Sequence, residues 1–360
     1  MSGMSHPVIS TWSATSPFGV GRPAFAAGVA ERRPTSGPLD PVEWQVPERH
    51  GCVVPGFDVR ESLGRKGTRM MNRVTGLTIA TVGHVLGEVD HPEGGADDVA
   101  LVLGTTAGSM QSSMEITHSS LTGARPYHVE PATIPYAVMN GAAGRCAIWH
   151  GLRGPNSTIA AGRPTGLVGL TYARRLLLAG RARQVLCGAA EEFSAARSWV
   201  EHYGRPEGEG DTVLGEGCAI FLVGMEPAPG TRRLASVLSV RTRMVVDGDW
   251  GAAVGHCLDG VLSSVEEKPD QVWAVSPSGA PDAAGRAEQA RLTEVFGADA
   301  LIPPVADLIG ETHSASSAFQ MASVLSLAEH DPAAAGRTAV ITSVDPSGMA
   351  AAALLRVAGP

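Results

Sequence analysis

The sequence has almost no lysine: of its 28 basic residues only Lys66 and Lys268 are lysines, and the other 26 are arginines. Arginine codons can be GC-rich and lysine codons cannot, which points to a gene from a GC-rich bacterium. An excess of positive charge is lacking too. The formal net charge is −8 and no basic cluster occurs, so nucleic acid is not an expected partner. The opening residues, MSGMSHPVIST, carry neither a basic flank nor a long apolar run. No signal peptide and no membrane span is expected, and the expected location is the cytoplasm. The five cysteines, Cys52, Cys146, Cys187, Cys218 and Cys257, are scattered and never fall in C-x-x-C spacing. That excludes a disulfide framework and a thiolate zinc site, leaving buried reduced thiols. The 11 histidines form no metal-ligand cluster, so neither a metal nor a cofactor is expected.

What the chain does have is length, small residues and short apolar runs. Its 360 residues suffice for two core-forming units, and 44% hydrophobic against 18% charged residues suits a well-buried protein. Val99 to Leu103, Gln184 to Gly188, Cys218 to Val223, Val272 to Val275 and Thr338 to Val344 read as strands buried on both faces. Between them, Leu167, Leu170, Leu177 and Leu178 recur at helical spacing within 166–178. Strands alternating with helices predict an α/β protein with largely parallel sheets. Polar, glycine- and proline-rich stretches at 204–211 and 226–232 read as surface loops, and the second divides the chain into units at 1–225 and 226–360. Gly208, Gly210, Gly215 and Gly217 are no phosphate loop, because neither a lysine nor a helix follows them.

Residues 134–156 read IPYAVMNGAAGRCAIWHGLRGPN and run into STIAAGRPTGLVGLTYA. This stretch resembles the beta-ketoacyl synthases, in which such a segment leads to a nucleophilic cysteine at the start of a long buried helix. Other segments follow in the family's order: VISTWSATSPFG at 8–19, LGTTAGS at 103–109, CGAAEE at 187–192 and LGEGCAIFL at 214–222. The resemblance implies a thiolate stabilised by helix N-terminal amides in the active members. It also implies a thiolase-like fold of two pseudo-symmetric βαβαβαββ halves, stacked as five alternating α/β/α/β/α layers.

The family's reactive positions are all replaced. By the resemblance, Arg163 stands at the cysteine, Pro277 and Glu311 at the two histidines and Ala306 at the lysine. An arginine is no nucleophile near neutral pH. The segment 233–261 is short, as though an insertion near the acyl entrance were missing. A ketosynthase-like chain without its cysteine resembles the chain length factors of type II polyketide synthases. That resemblance implies a heterodimer with an active ketosynthase, an acyl carrier protein bringing the chain, and a tunnel for the product. Arg163 departs from the glutamine usual at this position in the aromatic systems, which points to a diverged branch making reduced or polyene chains. Met110, Ser113, Met114 and Thr117 would line the tunnel from one helix, facing Thr133 and Ile134. Core packing is the plain alternative for Met110 and Met114. Arg145, Cys146, Ile148 and Trp149 are expected on a strand that pairs across the dimer. Arg163 and Glu311, at positions that face each other in the family, are expected to form an ion pair. The rival functions are a residual malonyl-carrier-protein decarboxylase supplying starter units and a scaffold that docks the carrier protein.

Overall fold

The computed structural model describes residues 6–90, 98–205 and 212–360. Most of the polar stretch at 204–211, with Gly208 and Gly210, lies outside the described residues. The first half runs β1 (Val8–Ser16), α1 (Arg22–Ala30), α2 (Arg73–Gly87), β2 (Val99–Gly104), α3 (Met110–Thr122), α4 (Gly141–His150), β3 (Asn156–Ile159), α5 (Thr165–Leu178), β4 (Gln184–Glu191), α6 (Ala195–Gly204) and β5 (Gly217–Gly224). The second runs β6 (Ala235–Met244), α7 (Trp250–Ser263), β7 (Val272–Ser276), α8 (Ala283–Phe296), α9 (Ser316–Ala328), β8 (Thr338–Asp345) and β9 (Met349–Val357).

The halves repeat one topology. In the first, the strand order is β3-β2-β4-β5-β1, with β2 parallel to both neighbours and the β4–β5 and β5–β1 pairs antiparallel. In the second, Leu301 makes a parallel bridge to Val275 where the first half has β3. The order then continues β7-β8-β9-β6, with one parallel pair followed by two antiparallel ones. A short contact between β1 and β6, Val8 with Ser236 and Ile9 with Ala235, joins the two sheets.

Every long apolar run in the sequence became a strand because both sheet faces are covered. One core lies between the sheets, where α1, α5 and α9 pack against Trp12, Val102, Phe221, Ile341 and Leu355. A second lies under α2 and α4, against Leu101, Leu186 and Ile220. A third lies under α7 and α8, against Val275, Val340 and Leu354. The result is the expected five alternating layers. The central pair packs closely: a Cβ at Gly166 of α5 would sit 2.8 Å from the Ala318 amide nitrogen of α9. Strand β6 passes directly to α7 through residues 245–249, in keeping with the shortness of this segment.

Two expectations fail. The sheets are not largely parallel: β2–β3, β2–β4 and β7–β8 are parallel, but β4–β5, β5–β1, β8–β9, β9–β6 and β1–β6 are antiparallel, and β8 and β9 are joined by a tight turn that permits no other direction. The second failure is at the sheet edge. Residues 145–148 are helical, inside α4, and the strand at that edge is β3. Apolar Ile148 and Trp149 suggested a strand, but small, alanine-rich GAAGRCA favours a helix that can lie close on α2. Gly151 ends it in the left-handed conformation at φ 69°. Cys146 is fully buried in the core under α2, so it meets no partner. Arg145 and Trp149 are half-buried, and of the four only Ile148 is openly exposed, at 72%.

Candidate functional site

Gly162 turns the chain into α5 with φ 61°, and a Cβ there would lie 2.1 Å from the Asp345 carboxylate. Glycine is therefore required both for the left-handed backbone and for the close approach. The next residue, Arg163, donates its amide to Asp345 Oδ2 at 2.9 Å, while its carbonyl accepts the Ser317 hydroxyl at 2.7 Å. The backbone of the elbow is thus tied to both the last hairpin and the start of α9.

The side chain turns inward and is only 6% exposed. Arg163 Nε donates to Glu311 Oε2 at 2.8 Å, and Nη1 donates to Asp282 Oδ2 at 2.8 Å. Burial by itself would lower the guanidinium pKa, but Glu311 and Asp282 outweigh it and raise it above its ordinary value. Burial would likewise push the Glu311 carboxyl up; Arg163 and then His313 hold it well below the ordinary range instead. The ion pair expected between Arg163 and Glu311 is present.

His313 extends the network. Its amide donates to Glu311 Oε1 at 2.8 Å. Its Nε2 lies 2.7 Å from Glu201 Oε1, an ion-pair contact off hydrogen-bond geometry. Burial would lower the imidazole pKa, yet Glu201 and Glu311 raise it overall. Arg163, Glu201, Asp282, Glu311, His313 and Ser347 line a cleft of ≈ 490 Å³. Behind it, buried Arg197 donates to the carbonyls of Glu192, Gly215 and Glu311 and fixes the floor.

The other replaced positions sit beside this network. Pro277 is buried just after β7, and the loop that follows carries Asp282 to the guanidinium. Ala306 opens a short helix whose methyl lies against Gly279. Asp282, Asp345 and Glu201 were not singled out from the sequence. A buried guanidinium with five N–H donors needs more than one carboxylate, and that need was the available signal for Asp282.

Helix α3 forms where expected, started by Ser109, whose hydroxyl accepts the Ser112 amide at 3.1 Å. Ser113 Oγ donates to the Ala137 carbonyl at 2.9 Å, which sets this helix against the segment that follows Thr133 and Ile134. Met114, Thr117 and Ile134 are exposed, and Met110, Ser113 and Thr133 half-buried. The cleft of ≈ 470 Å³ along α3 lies on the side of Gln111, Ser112 and Glu115; of the six tunnel positions only Thr133 lines it.

The family model described as "Beta-ketoacyl synthase, N-terminal domain" matches residues 8–226. Among curated proteins, the 3-oxoacyl-[acyl-carrier-protein] synthase 2 of Vibrio harveyi is 28% identical over 194 residues, 49% of this chain and 46% of that protein. The protein of the same name from Vibrio cholerae is 30% identical over 148 residues, 41% and 36% of the two chains. The chain thus spans less than half the length of these curated relatives. Among solved structures, one titled "The ishigamide ketosynthase/chain length factor" superposes with a TM-score of 0.92 at 43% identity, covering 98% of this chain and 100% of the other. A type II polyketide synthase ketosynthase solved with its acyl carrier protein shares the fold at TM-score 0.77 and 16% identity, over 98% and 99%.

Proposed function

The chain belongs to the beta-ketoacyl synthase family, and on that premise we propose that it is a non-catalytic chain length factor. It pairs with an active ketosynthase, which receives chains from an acyl carrier protein, and it walls the tunnel in which the polyketide grows. The observation that carries this reading is the buried guanidinium of Arg163, held by Glu311 and Asp282 at the nucleophile's place.

Acyl transfer to the enzyme needs a nucleophile that can shed its proton, and condensation needs donors on the malonyl thioester carbonyl. Arg163 supplies no nucleophile, because both carboxylates stabilise its protonated form. No other thiol takes over. All five cysteines are buried, and burial pushes Cys187 and Cys218 up to about 12 and Cys257 to about 11. Decarboxylation would need imidazoles where Pro277 and Glu311 stand. His313, which lines the same cleft, is turned to Glu201. With its own pocket locked by ions, this subunit contributes a wall: α3 with Met110, Ser113, Met114 and Thr117, opposite Thr133 and Ile134. These side chains include no aromatic ring, which suits a long, thin, reduced polyene chain.

Reconstitution of the pair tests the reading. Replacing the partner's cysteine by alanine should abolish all carbon–carbon bond formation while this chain remains wild type. Continued condensation by that complex would refute it.

A further inference from the structure

The face built by α3, residues 131–140, α4 and β3 is uncovered. Met114, Leu121, Ile134, Val138, Met139 and Ile148 are all exposed there. The segment 131–140 lies against α3: Ser113 bonds Ala137, and a Cβ at Gly108 would meet the Met139 backbone at 3.0 Å. Beside them β3 is hydrogen-bonded to β2 along one edge and open along the other. An apolar patch next to an open strand edge calls for a protein partner.

The charge on this face is one-sided. From Pro131 to Ala190 the sequence contains no aspartate or glutamate. Arg145, on α4, lies over the Tyr136 ring at 5.7 Å, and its Nε is buried with no hydrogen-bond acceptor. The carboxylates flanking this stretch are engaged elsewhere. Glu115 accepts from Gln111 Nε2 at 2.9 Å and lines the cleft on the other side of α3. Glu130 accepts the Ala132 amide at 3.2 Å. A second copy meeting this face with its own would bring another Arg145 and, from residues 131–190, no anion. A half-desolvated guanidinium left without one is costly.

We infer that this face is selective by charge: it takes a partner subunit that presents a carboxylate opposite Arg145, and Arg145 thereby disfavours self-pairing. The identity of that partner as a ketosynthase rests on the functional reading above; the requirement for a carboxylate rests on Arg145 and its acid-free surroundings. The Tyr136 ring already holds the guanidinium in the free subunit, so an ion pair forms with less loss of side-chain freedom.

The test is the affinity of this chain for the active ketosynthase subunit, measured by titration for the wild type, Arg145→Glu and Arg145→Gln. Arg145→Glu should weaken the complex by about 100-fold or more and Arg145→Gln by about 10-fold, as expected when one side of a buried charge pair is reversed or neutralised. Both isolated variants should melt close to the wild type, since Arg145 Nε has no acceptor among the described residues to lose. Variants that bind within about threefold of the wild type would overturn the inference while leaving the chain length factor reading intact. A tight wild-type homodimer through this face would also overturn it. Failure of the wild type to form any complex would remove the functional reading, and this inference with it.

Discussion

Arg163 is held by more than the one carboxylate that the sequence pointed to. Glu311 and Asp282 bind its side chain, and Asp345 and Ser317 bind its backbone. Removing Glu311 leaves a buried guanidinium short of an anion, so Glu311→Ala should destabilise the protein by about 3–5 kcal/mol. The pH dependence follows from the direction of the shift. The folded-state pKa of Glu311 is depressed, so its contribution is fully present above about pH 4.5 and is lost as the pH falls through the folded value. The gap in melting temperature between wild type and Glu311→Ala should therefore be large at pH 7 and shrink toward pH 3. His313 has the opposite sign: its raised pKa places its contribution below about pH 6.5, with loss as the pH rises. A gap for Glu311→Ala that is equal at both pH values would show that the carboxylate is not ionised against Arg163. Restoring the thiol alone should restore no chemistry. Arg163→Cys leaves Pro277 and Glu311 at the carbonyl-binding positions, and groups that act as a unit are not recovered one at a time. Carbon–carbon bond formation by Arg163→Cys without a partner would contradict this. The Arg163–Glu311 pair was legible in the sequence because two distant motifs each fix one end of it. Asp282 was not, because nothing in SPSGAPD reveals that its loop folds back onto the elbow.

At the level of elements, the strands could be read because burial on both faces leaves a continuous apolar run, as in Val99–Gly104 and Thr338–Asp345. Helix α4 could not: its large apolar residues, Ile148 and Trp149, are adjacent rather than at helical spacing, and its buried face is made of the small Gly141, Ala142, Ala143 and Cys146. Helix α3 has a support that the sequence also hid. Buried Glu192 accepts the Ser109 hydroxyl at 2.8 Å and the Gln111 amide at 3.4 Å on one oxygen, and the Val74 amide at 3.2 Å on the other. One carboxyl group thus ties the N-termini of α3 and α2 together; burial pushes its pKa up to about 7, although the hydrogen bonds from Ser109, Val74 and Gln111 favour the charged form. Glutamine has a single acceptor oxygen and would set its NH2 group against a helix N–H. Glu192→Gln should therefore speed hydrogen exchange at Gln111 and Ser112 by about tenfold, the equivalent of about 1.4 kcal/mol, and broaden the product lengths made by the pair. Unchanged exchange at both amides would mean that Glu192 does not hold α3. On the exposed side of the same helix, Ser113→Phe or Thr117→Phe should shorten the product while acyl loading of the partner is unchanged. Unchanged lengths for both variants would return these positions to ordinary packing.

As a whole, the molecule is a ketosynthase-like scaffold of two similar halves whose ion network lines the cleft at the elbow, and whose first half ends in β3, unpaired on its outer edge among the described residues. The division of labour proposed above places the chemistry on one subunit and the shape on the other. It is tested most directly by the intact mass of each subunit after the reconstituted pair has been incubated with acyl- and malonyl-charged carrier protein. The account predicts acyl mass on the partner and none on this chain, at any time during turnover. An acyl adduct on this chain would contradict it.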